Sequence, residues 1–163
     1  MNSEFTIAVH SLVFLANLPD HRASSESIAY NICTNPARVR KIMSTLRKNN
    51  LVRTKEGLGG GYTLGCSPAE ISLGVIYRVI STGTLKPHWC SGDPDADCIV
   101  KSNIQTVMDE IFTESEQSII RHLDQITIED VLKKLKLLTK KHLAHARCFV
   151  MTLWKRLFQP LLL

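Results

Sequence analysis

The chain has 163 residues, of which 44% are hydrophobic and 21% charged, and its formal net charge is +5 at pH 7. That length predicts one compact domain, or a small domain with an appended helical arm, and the composition is ordinary for a chain that builds a core. No run reaches the roughly 18 apolar residues of a membrane span, and the first residues lack the pattern of a signal peptide. We therefore expect a cytoplasmic protein without a membrane partner.

Charge is distributed unevenly along the chain. Residues 1–83 carry a net charge of +4, residues 84–138 carry −4, and residues 139–163 carry +5. This asymmetry predicts that the first part faces an anionic partner such as DNA and that the middle part does not. The five cysteines are candidates for sensing or ligation, because cytoplasmic thiols are mostly kept reduced.

Two helices are predicted first. Glu4–Asn17 has one apolar face, formed by Phe5, Ala8, Val9, Leu12, Val13 and Ala16. Either Ser24 or Ser25 can cap a second helix, Glu26–Ile32. A tight turn, Cys33–Asn35, then leads into the next helix.

The stretch after this turn combines a helix with dense positive charge. Asn35 is a good N-cap, and Pro36 suits the first helical position because its missing N–H costs nothing there. Between Thr34 and Lys55 there are seven Lys or Arg and no acid. A basic helix is sized for the major groove of DNA, although such charges are also common on a merely solvated face. The predicted buried face consists of Val39, Ile42, Met43 and Leu46.

A glycine-rich hairpin follows. Leu51–Thr54 and Tyr62–Leu64 are predicted strands, and Glu56–Gly61 forms the tip between them. The glycine run lacks the Gly-Lys-Ser/Thr ending of a nucleotide-binding loop and leads into a strand instead of a helix. A basic helix followed by a basic ribbon predicts a winged helix-turn-helix. The residues predicted to contact DNA are Asn35, Arg38, Arg40, Lys41, Arg47, Lys55, Gly59, Gly60, Gly61 and Tyr62.

The same residues resemble a known family. Ser24–Ile32, the Arg40-Lys41-Ile42 run and above all Glu56–Leu64, EGLGGGYTL, are similar to the Rrf-two family of bacterial transcription regulators. The resemblance covers Met1–Leu135, and the glycine-rich wing is its most specific part. It implies a dimeric DNA-binding protein, mainly α-helical, with a small β-hairpin wing and a long dimerisation helix.

The chain after the wing is predicted to contain a helix, a loop and a longer helix. Ala69–Ile80 is the helix, and Ser81–Cys98 is an irregular loop rich in Gly, Pro and Asp. The second helix runs from Ser102, which has capping-box spacing with Gln105. Ending at Leu123, it would be about 33 Å long, which favours a seam between two subunits over a core helix within one chain. The predicted dimer interface is Ile104, Val107, Met108, Ile111, Ser115, Ile119 and His122.

A last helix is predicted to start at the cap Thr127–Asp130 and to end at Leu135. Leu137–Leu163 contains no acid and is either a basic amphipathic helix or an uninformative extension, and we favour the latter. The predicted division is a DNA-binding domain (1–83), a sensor loop (84–100), dimerisation and C-terminal helices (101–136) and a basic apolar tail (137–163).

Two cysteines are candidates for redox sensing. Cys33 lies just before a basic helix, whose N-terminal partial charge favours the thiolate; the alternative is a small buried packing residue. One cysteine in this turn and another before the dimer helix, as with Cys33 and Cys98, resemble the oxidant-sensing family member HypR. That resemblance implies a disulfide between subunits. The carboxylates of Asp93, Asp95 and Asp97 are expected to raise the pKa of Cys98, which makes Cys33 the expected first nucleophile.

The loop also allows a metal site as the alternative. The iron–sulfur members of the family have three cysteines here, whereas this chain has only Cys90 and Cys98. A cluster normally needs more soft ligands, and adding His88 gives no recognised zinc spacing. We therefore predict no cofactor, with an iron–sulfur cluster as the alternative, and we interpret Cys66 and Cys148 as structural or incidental.

These patterns together predict a homodimeric regulator that represses transcription by binding double-stranded DNA and is controlled by thiol oxidation. One alternative is the same fold with a cluster or metal on Cys90 and Cys98. An alternative of another class is a small thiol-redox enzyme. The chain has no CxxC motif, catalytic Ser/His/Asp order or paired carboxylates, so we do not expect an enzyme.

Overall fold

The computed structural model describes residues 3–57, 59–83, 85 and 91–139 of the chain. Within them the backbone forms six helices and an antiparallel sheet of three short strands. Cys90, Cys148, His88 and most of the basic tail lie outside the described residues. The helices are α1 (Ser3–Asn17), α2 (Ser25–Ile32), α3 (Pro36–Lys48), α4 (Leu73–Ile80), α5 (Ile99–Asp124) and α6 (residues 128–139), and the strands are β1 (Arg22–Ala23), β2 (Val52–Lys55) and β3 (Gly61–Leu64).

Helices α2 and α3 begin where the sequence predicts. The hydroxyl of Ser24 accepts the backbone N–H of Ser27 at 3.1 Å and caps α2. The side-chain oxygen of Asn35 accepts the N–H of Ala37 at 2.8 Å and caps α3. Each cap of this kind contributes about 1 kcal/mol. Between the caps, Cys33 ends α2 with a φ of 57°, and this left-handed residue makes the turn of a helix-turn-helix.

Helix α1 lies at the centre of the core. Five of its six predicted apolar residues are buried, and Val9 is half-buried. Phe5 meets the buried Tyr77 of α4 edge to face, with ring centroids 5.7 Å apart. Helix α3 also contributes its inner face to the core, and its four predicted core residues are all buried: Val39, Ile42, Met43 and Leu46. Burial contributes about 1.5–3 kcal/mol for each large apolar side chain, so these residues hold α3 firmly against the core.

The wing contains one more strand than the sequence indicated. Strand β3 lies between β1 and β2 and is antiparallel to both. In the hairpin, Val52 pairs with Leu64 and Lys55 with Gly61, so both predicted strands are confirmed within one residue. Strand β1 pairs Ala23 with Tyr62. It has two residues, too few to show the alternation by which strands are predicted.

Helix α4 starts later than predicted. It begins at Leu73 instead of Ala69, and Ser72 is its N-cap. Ser72 is extended, and next to it the N–H of Ile128 donates to the carbonyl of Ile71 at 2.9 Å. Backbone groups that pair with the segment before α6 cannot also close a helical turn, which explains the shorter helix.

Helix α5 starts earlier than predicted. It begins at Ile99, and Cys98 is its N-cap residue. The predicted capping box is wrong, because the Ser102 hydroxyl donates to the Cys98 carbonyl at 3.0 Å and Gln105 accepts the N–H of Ser91 at 2.8 Å. None of the 26 residues of α5 is buried. At about 1.5 Å per residue the helix is about 39 Å long.

Helix α6 begins as predicted and continues past its predicted end. The N–H of Thr127 donates to the Asp130 carboxylate at 3.0 Å, and the N–H of Asp130 donates to the Thr127 hydroxyl at 3.2 Å. The helix passes Leu135 and is described through residue 139. Among the described residues, no helix is both long and apolar enough to cross a membrane.

Candidate nucleic-acid interface

The outer side of α3 is basic. Arg38, Arg40, Lys41 and Arg47 are all exposed, as the sequence predicts, while the opposite side of the helix is in the core. Basic side chains on the exposed face of a helix whose other face is buried in the core can contact phosphates and base edges. The solvent-exposed face of α3 is therefore positively charged, and the core holds the helix in place.

Two of these side chains are held by carboxylates of neighbouring helices. The guanidinium of Arg40 lies 3.0 Å from the carboxylate of Glu26 in α2. The ammonium of Lys41 lies 3.2 Å from the carboxylate of Glu4 in α1. These exposed pairs contribute little stability, but each gives its cation a defined direction.

The other two arginines donate to hydroxyl groups. Arg38 donates to the hydroxyl of Ser3 at 2.5 Å, and Arg47 donates to the hydroxyl of Thr54 in β2 at 3.3 Å. The Arg47 contact connects α3 to the wing, so the helix and the ribbon are joined on the exposed surface as well as through the core.

The glycines of the wing are required by its backbone. Gly59 has a φ of 74° and Gly61 a φ of 145°, which favour glycine, as predicted for this tip. Gly60 has no room for a side chain, because a Cβ there would lie 2.4 Å from the carbonyl oxygen of Lys55. The tip therefore has a fixed shape that larger residues would distort.

A polar cleft of about 400 Å³ lies between the start of α2 and the wing. It brings together five of the residues predicted to contact DNA, namely Arg47, Lys55, Gly60, Gly61 and Tyr62. Asn35, Arg38, Arg40, Lys41 and Gly59 are not among its lining residues, and the Asn35 side-chain oxygen is used to cap α3.

Three polar features of this surface were missed from the sequence. The cleft is also lined by Glu26 and by the serines that precede it, Ser24 and Ser25. Arg22 of β1 donates to the carbonyl of Gly59 at 3.4 Å and so braces the wing tip. Glu26 was visible as an acid in a first helical turn, but its partner Arg40 is 14 residues further along the chain.

The comparison with known proteins identifies the family. Residues 1–134 match the family Rrf2, described as an iron-dependent transcriptional regulator. The chain belongs to the Rrf2 family. YwnA of Bacillus subtilis (strain 168), named as an HTH-type transcriptional regulator, is 30% identical over 135 residues, which are 83% of this chain and 98% of YwnA.

Solved structures agree with the Rrf2 assignment. A transcriptional regulator from Lactobacillus plantarum has a TM-score of 0.74 at 26% identity, with 88% of this chain and 99% of that chain covered. The IscR of T. potens has a TM-score of 0.61 at 26% identity, with 83% and 87% covered. These matches confirm the winged-helix fold and a DNA-binding transcriptional regulator. The thiol-redox enzyme alternative is wrong, because Rrf2 proteins and the matched relatives are regulators.

Cys33, the first predicted sensing residue of this Rrf2 chain, is exposed and is therefore not the buried packing residue considered as an alternative. It lies in the left-handed turn between α2 and α3, and its thiol donates to the carbonyl of Tyr30 at 3.8 Å. Its sulfur is thus accessible at the start of the basic helix.

Cys98 is also exposed, and the prediction for its pKa is wrong. The backbone N–H groups of Lys101 and Val100 at the start of α5 lower the pKa of the Cys98 thiol. The nearby carboxylates do not reverse this effect, and that of Asp93 lies 3.1 Å from the Lys101 ammonium. By contrast, burial and the charge of Glu70 raise the pKa of Cys66. Cys98 is therefore the better nucleophile of these two.

The description of the Rrf2 family as iron-dependent requires a test of the possible ligands. Within the described part of the chain, no group of three His, Cys, Asp or Glu residues could hold a metal ion. The sensor loop supplies only two cysteines, Cys90 and Cys98, and the run Ile99–Gln105 adds none. A cluster usually has four cysteine ligands, so this loop alone does not provide a suitable set.

The loop that carries Cys98 is connected to both α4 and α5. Glu116 of α5 accepts the hydroxyl of the buried Tyr77 at 2.9 Å and the N–H of Gly83 at 2.7 Å. Further along, the N–H of Asp93 donates to the carbonyl of Lys101 at 2.9 Å. Gly83 is thus connected through Glu116 to α4, which packs on α1 and α3.

Proposed function

We propose that this Rrf2-family regulator is a cytoplasmic homodimer that represses transcription and leaves its operator when Cys33 and Cys98 become a disulfide. The observation that carries the proposal is the position of the two sulfurs. Both cysteines are exposed, and each lies just before a helix with a separate role. Helix α3, after Cys33, would bind DNA, and α5, after Cys98, would pair the subunits.

The DNA-binding surface of the proposal is α3 together with the wing. Helix α3 would enter the major groove, since its outer side is basic and its inner side is held by the core. The wing and the cleft beside it would follow the adjacent backbone, where Arg47 and Lys55 can contact phosphates. The ten residues predicted from the sequence remain the proposed contacts, with Arg22 added as a brace.

The homodimer of the proposal is formed through α5. Val107 and Ile111 are each 48% exposed, and on the same side the seam extends one turn beyond the predicted residues to Val100, which is 65% exposed. Ile104, Met108 and Ile119 are half-buried, whereas Ser115 and His122 are exposed. A helix of about 39 Å with no buried residue has an unused apolar side, and a second copy related by a two-fold axis would cover it.

The chemistry of the switch starts at Cys98 in this proposal, and not at Cys33 as the sequence led us to expect, because the thiolate is the nucleophile and the N–H groups at the start of α5 lower the pKa of Cys98. Its thiolate attacks one oxygen of a hydroperoxide; the S–O bond forms as the O–O bond breaks, and the leaving alkoxide takes a proton. The partner subunit's Cys33 then loses its proton and attacks the sulfenic sulfur of Cys98. The disulfide forms, hydroxide leaves as water, and two electrons have passed from the sulfurs to the peroxide.

Disulfide formation would displace the sensor loop. The two Cα atoms must approach within about 7 Å. Hydrogen bonds hold Gly83, which directly precedes the loop, and Asp93, which lies within it. Breaking these contacts would disturb Glu116 and Tyr77, and through them the position of α4. The two α3 helices would then no longer match the spacing of the operator half-sites.

The proposal is tested by cross-linking. After treatment with a hydroperoxide, non-reducing gels should show a covalent dimer for the unmodified protein and for Cys66→Ser, the matched control, but not for Cys33→Ser or Cys98→Ser. Cys33→Ser should still bind DNA and should lose its response to the oxidant. A cross-link that survives both changes and disappears with Cys148→Ser would place the linkage in the tail and refute the switch.

The second candidate is an iron–sulfur sensor, which the family description favours. Visible absorbance of protein purified without oxygen separates the two candidates. A colourless protein that cross-links supports the thiol switch. A brown protein whose colour is lost in Cys98→Ser supports a cluster whose ligands include this residue.

A further inference from the structure

Glu26 is one of two acidic residues, with Glu56 of the wing, that line the polar cleft beside the proposed DNA-binding helix. It lies in the first turn of α2 and lines the cleft beside the wing, together with the basic Arg47 and Lys55. Its side chain is 65% exposed, so burial does not explain its pairing with Arg40. A fixed carboxylate at this place opposes general attraction to phosphate, which calls for a functional reason.

The carboxylate of Glu26 is held in one position. One of its oxygens accepts from the Arg40 guanidinium and from the Ser25 hydroxyl, each at 3.0 Å. The same nitrogen of Arg40 also donates to the Ser25 hydroxyl at 3.3 Å. Its own backbone N–H and the hydroxyls of Ser25 and Ser24 lower the pKa of Glu26, so it stays ionised at neutral pH.

We propose that Glu26 is a specificity-determining residue, which directs Arg40 towards a guanine edge and excludes phosphate from the start of α2. This inference rests on the proposed DNA contacts of α3. A guanidinium has five N–H donors, and the contacts of one nitrogen to Glu26 and Ser25 leave enough for the two bonds by which arginine reads guanine. Without the carboxylate, Arg40 would be free to bind phosphates of any sequence.

The second proposed effect of Glu26 is to exclude phosphate from the start of α2. The N-terminal N–H groups of a helix and the hydroxyls of Ser24 and Ser25 would otherwise attract a phosphate to α2. Glu26 places its own negative charge there, so like-charge repulsion disfavours a DNA backbone that runs through this point. Discrimination by repulsion weakens all complexes but weakens the incorrect ones most.

Glu4 provides the matched control. It also pairs with a basic residue of α3, Lys41, but from α1 and outside the cleft. Glu4→Gln and Glu26→Gln make the same change of charge and preserve side-chain shape. A difference in DNA binding between the two variants therefore reflects the position of the removed charge and not the change in net charge.

The experiment selects binding duplexes from a random 30-base-pair pool with the unmodified dimer, with Glu26→Gln and with Glu4→Gln. Glu26→Gln should lose a guanine preference at one position in each half-site, and its preference for the selected over a scrambled duplex should fall about tenfold. Glu4→Gln should keep the selected sequence and should strengthen binding to both duplexes by similar factors. Arg40→Gln should lose the same guanine, and adding Glu26→Gln to it should cause no further loss of specificity.

Two results would overturn the inference in distinguishable ways. If Glu26→Gln selects the same sequence as the unmodified protein, Glu26 has no role in specificity, while the proposed DNA contacts remain. If the unmodified protein itself selects no sequence, the proposed contacts of α3 fail together with this inference. Thermal unfolding of each variant shows whether a loss of selection comes from loss of the fold.

Discussion

The proposed dimer seam makes a strong prediction for Ile111→Glu. Ile111 is 48% exposed in the single chain, so about half of its side chain remains to be covered by a partner. Full burial of such a side chain contributes about 1.5–3 kcal/mol, so the uncovered half contributes about 1 kcal/mol. Because a two-fold axis buries Ile111 of both subunits, the contribution is about 2 kcal/mol for each dimer.

The substitution removes that contribution and adds two carboxylates to an apolar seam. An uncompensated buried charge costs several kcal/mol, which brings the total to about 5 kcal/mol or more. At about 1.4 kcal/mol for each factor of ten, the dimer should dissociate more than a thousandfold more readily.

Sedimentation velocity over a range of protein concentrations measures this effect directly. Ile111→Glu should sediment as a folded monomer at concentrations where the unmodified protein is a dimer. Thr113→Glu is the control, since Thr113 is exposed and lies about 200° around the helix from Ile111. A stable dimer of Ile111→Glu, or a monomeric unmodified protein, would refute the assignment of α5 as the seam.

Three further predictions concern DNA binding and thiol chemistry. The double variant Arg40→Ala, Lys41→Ala should weaken DNA binding and lower its salt slope by roughly one unit for each phosphate contact that is lost, which is one unit if Lys41 alone contacts phosphate and Arg40 contacts a base edge, and unchanged affinity and slope would remove α3 from the interface. Gly60→Val should weaken DNA binding and leave the dimer intact, because its Cβ meets the carbonyl of Lys55, and normal operator binding would show that the tip is only a connector. Alkylation by iodoacetamide, followed by mass spectrometry across pH, should show Cys98 reacting at lower pH than Cys66, because the pKa of Cys98 is lowered and that of Cys66 is raised; the opposite order would contradict the lowered pKa of Cys98.

Residues that act on their immediate neighbours in the chain were mostly predicted well, with the exception of the Ser102 and Gln105 capping box, because Gln105 instead accepts the N–H of the more distant Ser91. The caps of Ser24, Asn35 and Thr127 bind N–H groups or carboxylates within three residues, so their effect is visible in a short stretch of sequence. The glycines of the wing also act through their own backbone dihedrals. The resemblance to the Rrf2 family rests on such local signals and was confirmed.

Predictions failed where a distant or through-space partner decided the outcome. Helix α4 starts late because Ile71 pairs with Ile128. Cys98 has three aspartates close in sequence, but hydrogen bonds from the N–H groups at the start of α5 lower its pKa. The prediction counted charges along the chain, whereas electrostatic energy depends on distance and orientation.

The sequence by itself therefore determined the order of the helices, the caps of α2, α3 and α6, the inward faces of α1 and α3, and the family, since periodicity and capping depend on residues three or four positions apart. Only the tertiary structure decided that Glu26 lies beside Arg40, that Arg22 braces the wing and that α5 buries none of its residues. Those facts depend on how separate helices and strands pack against one another. Packing brings together side chains that are far apart in the chain, and no local pattern records which ones will meet.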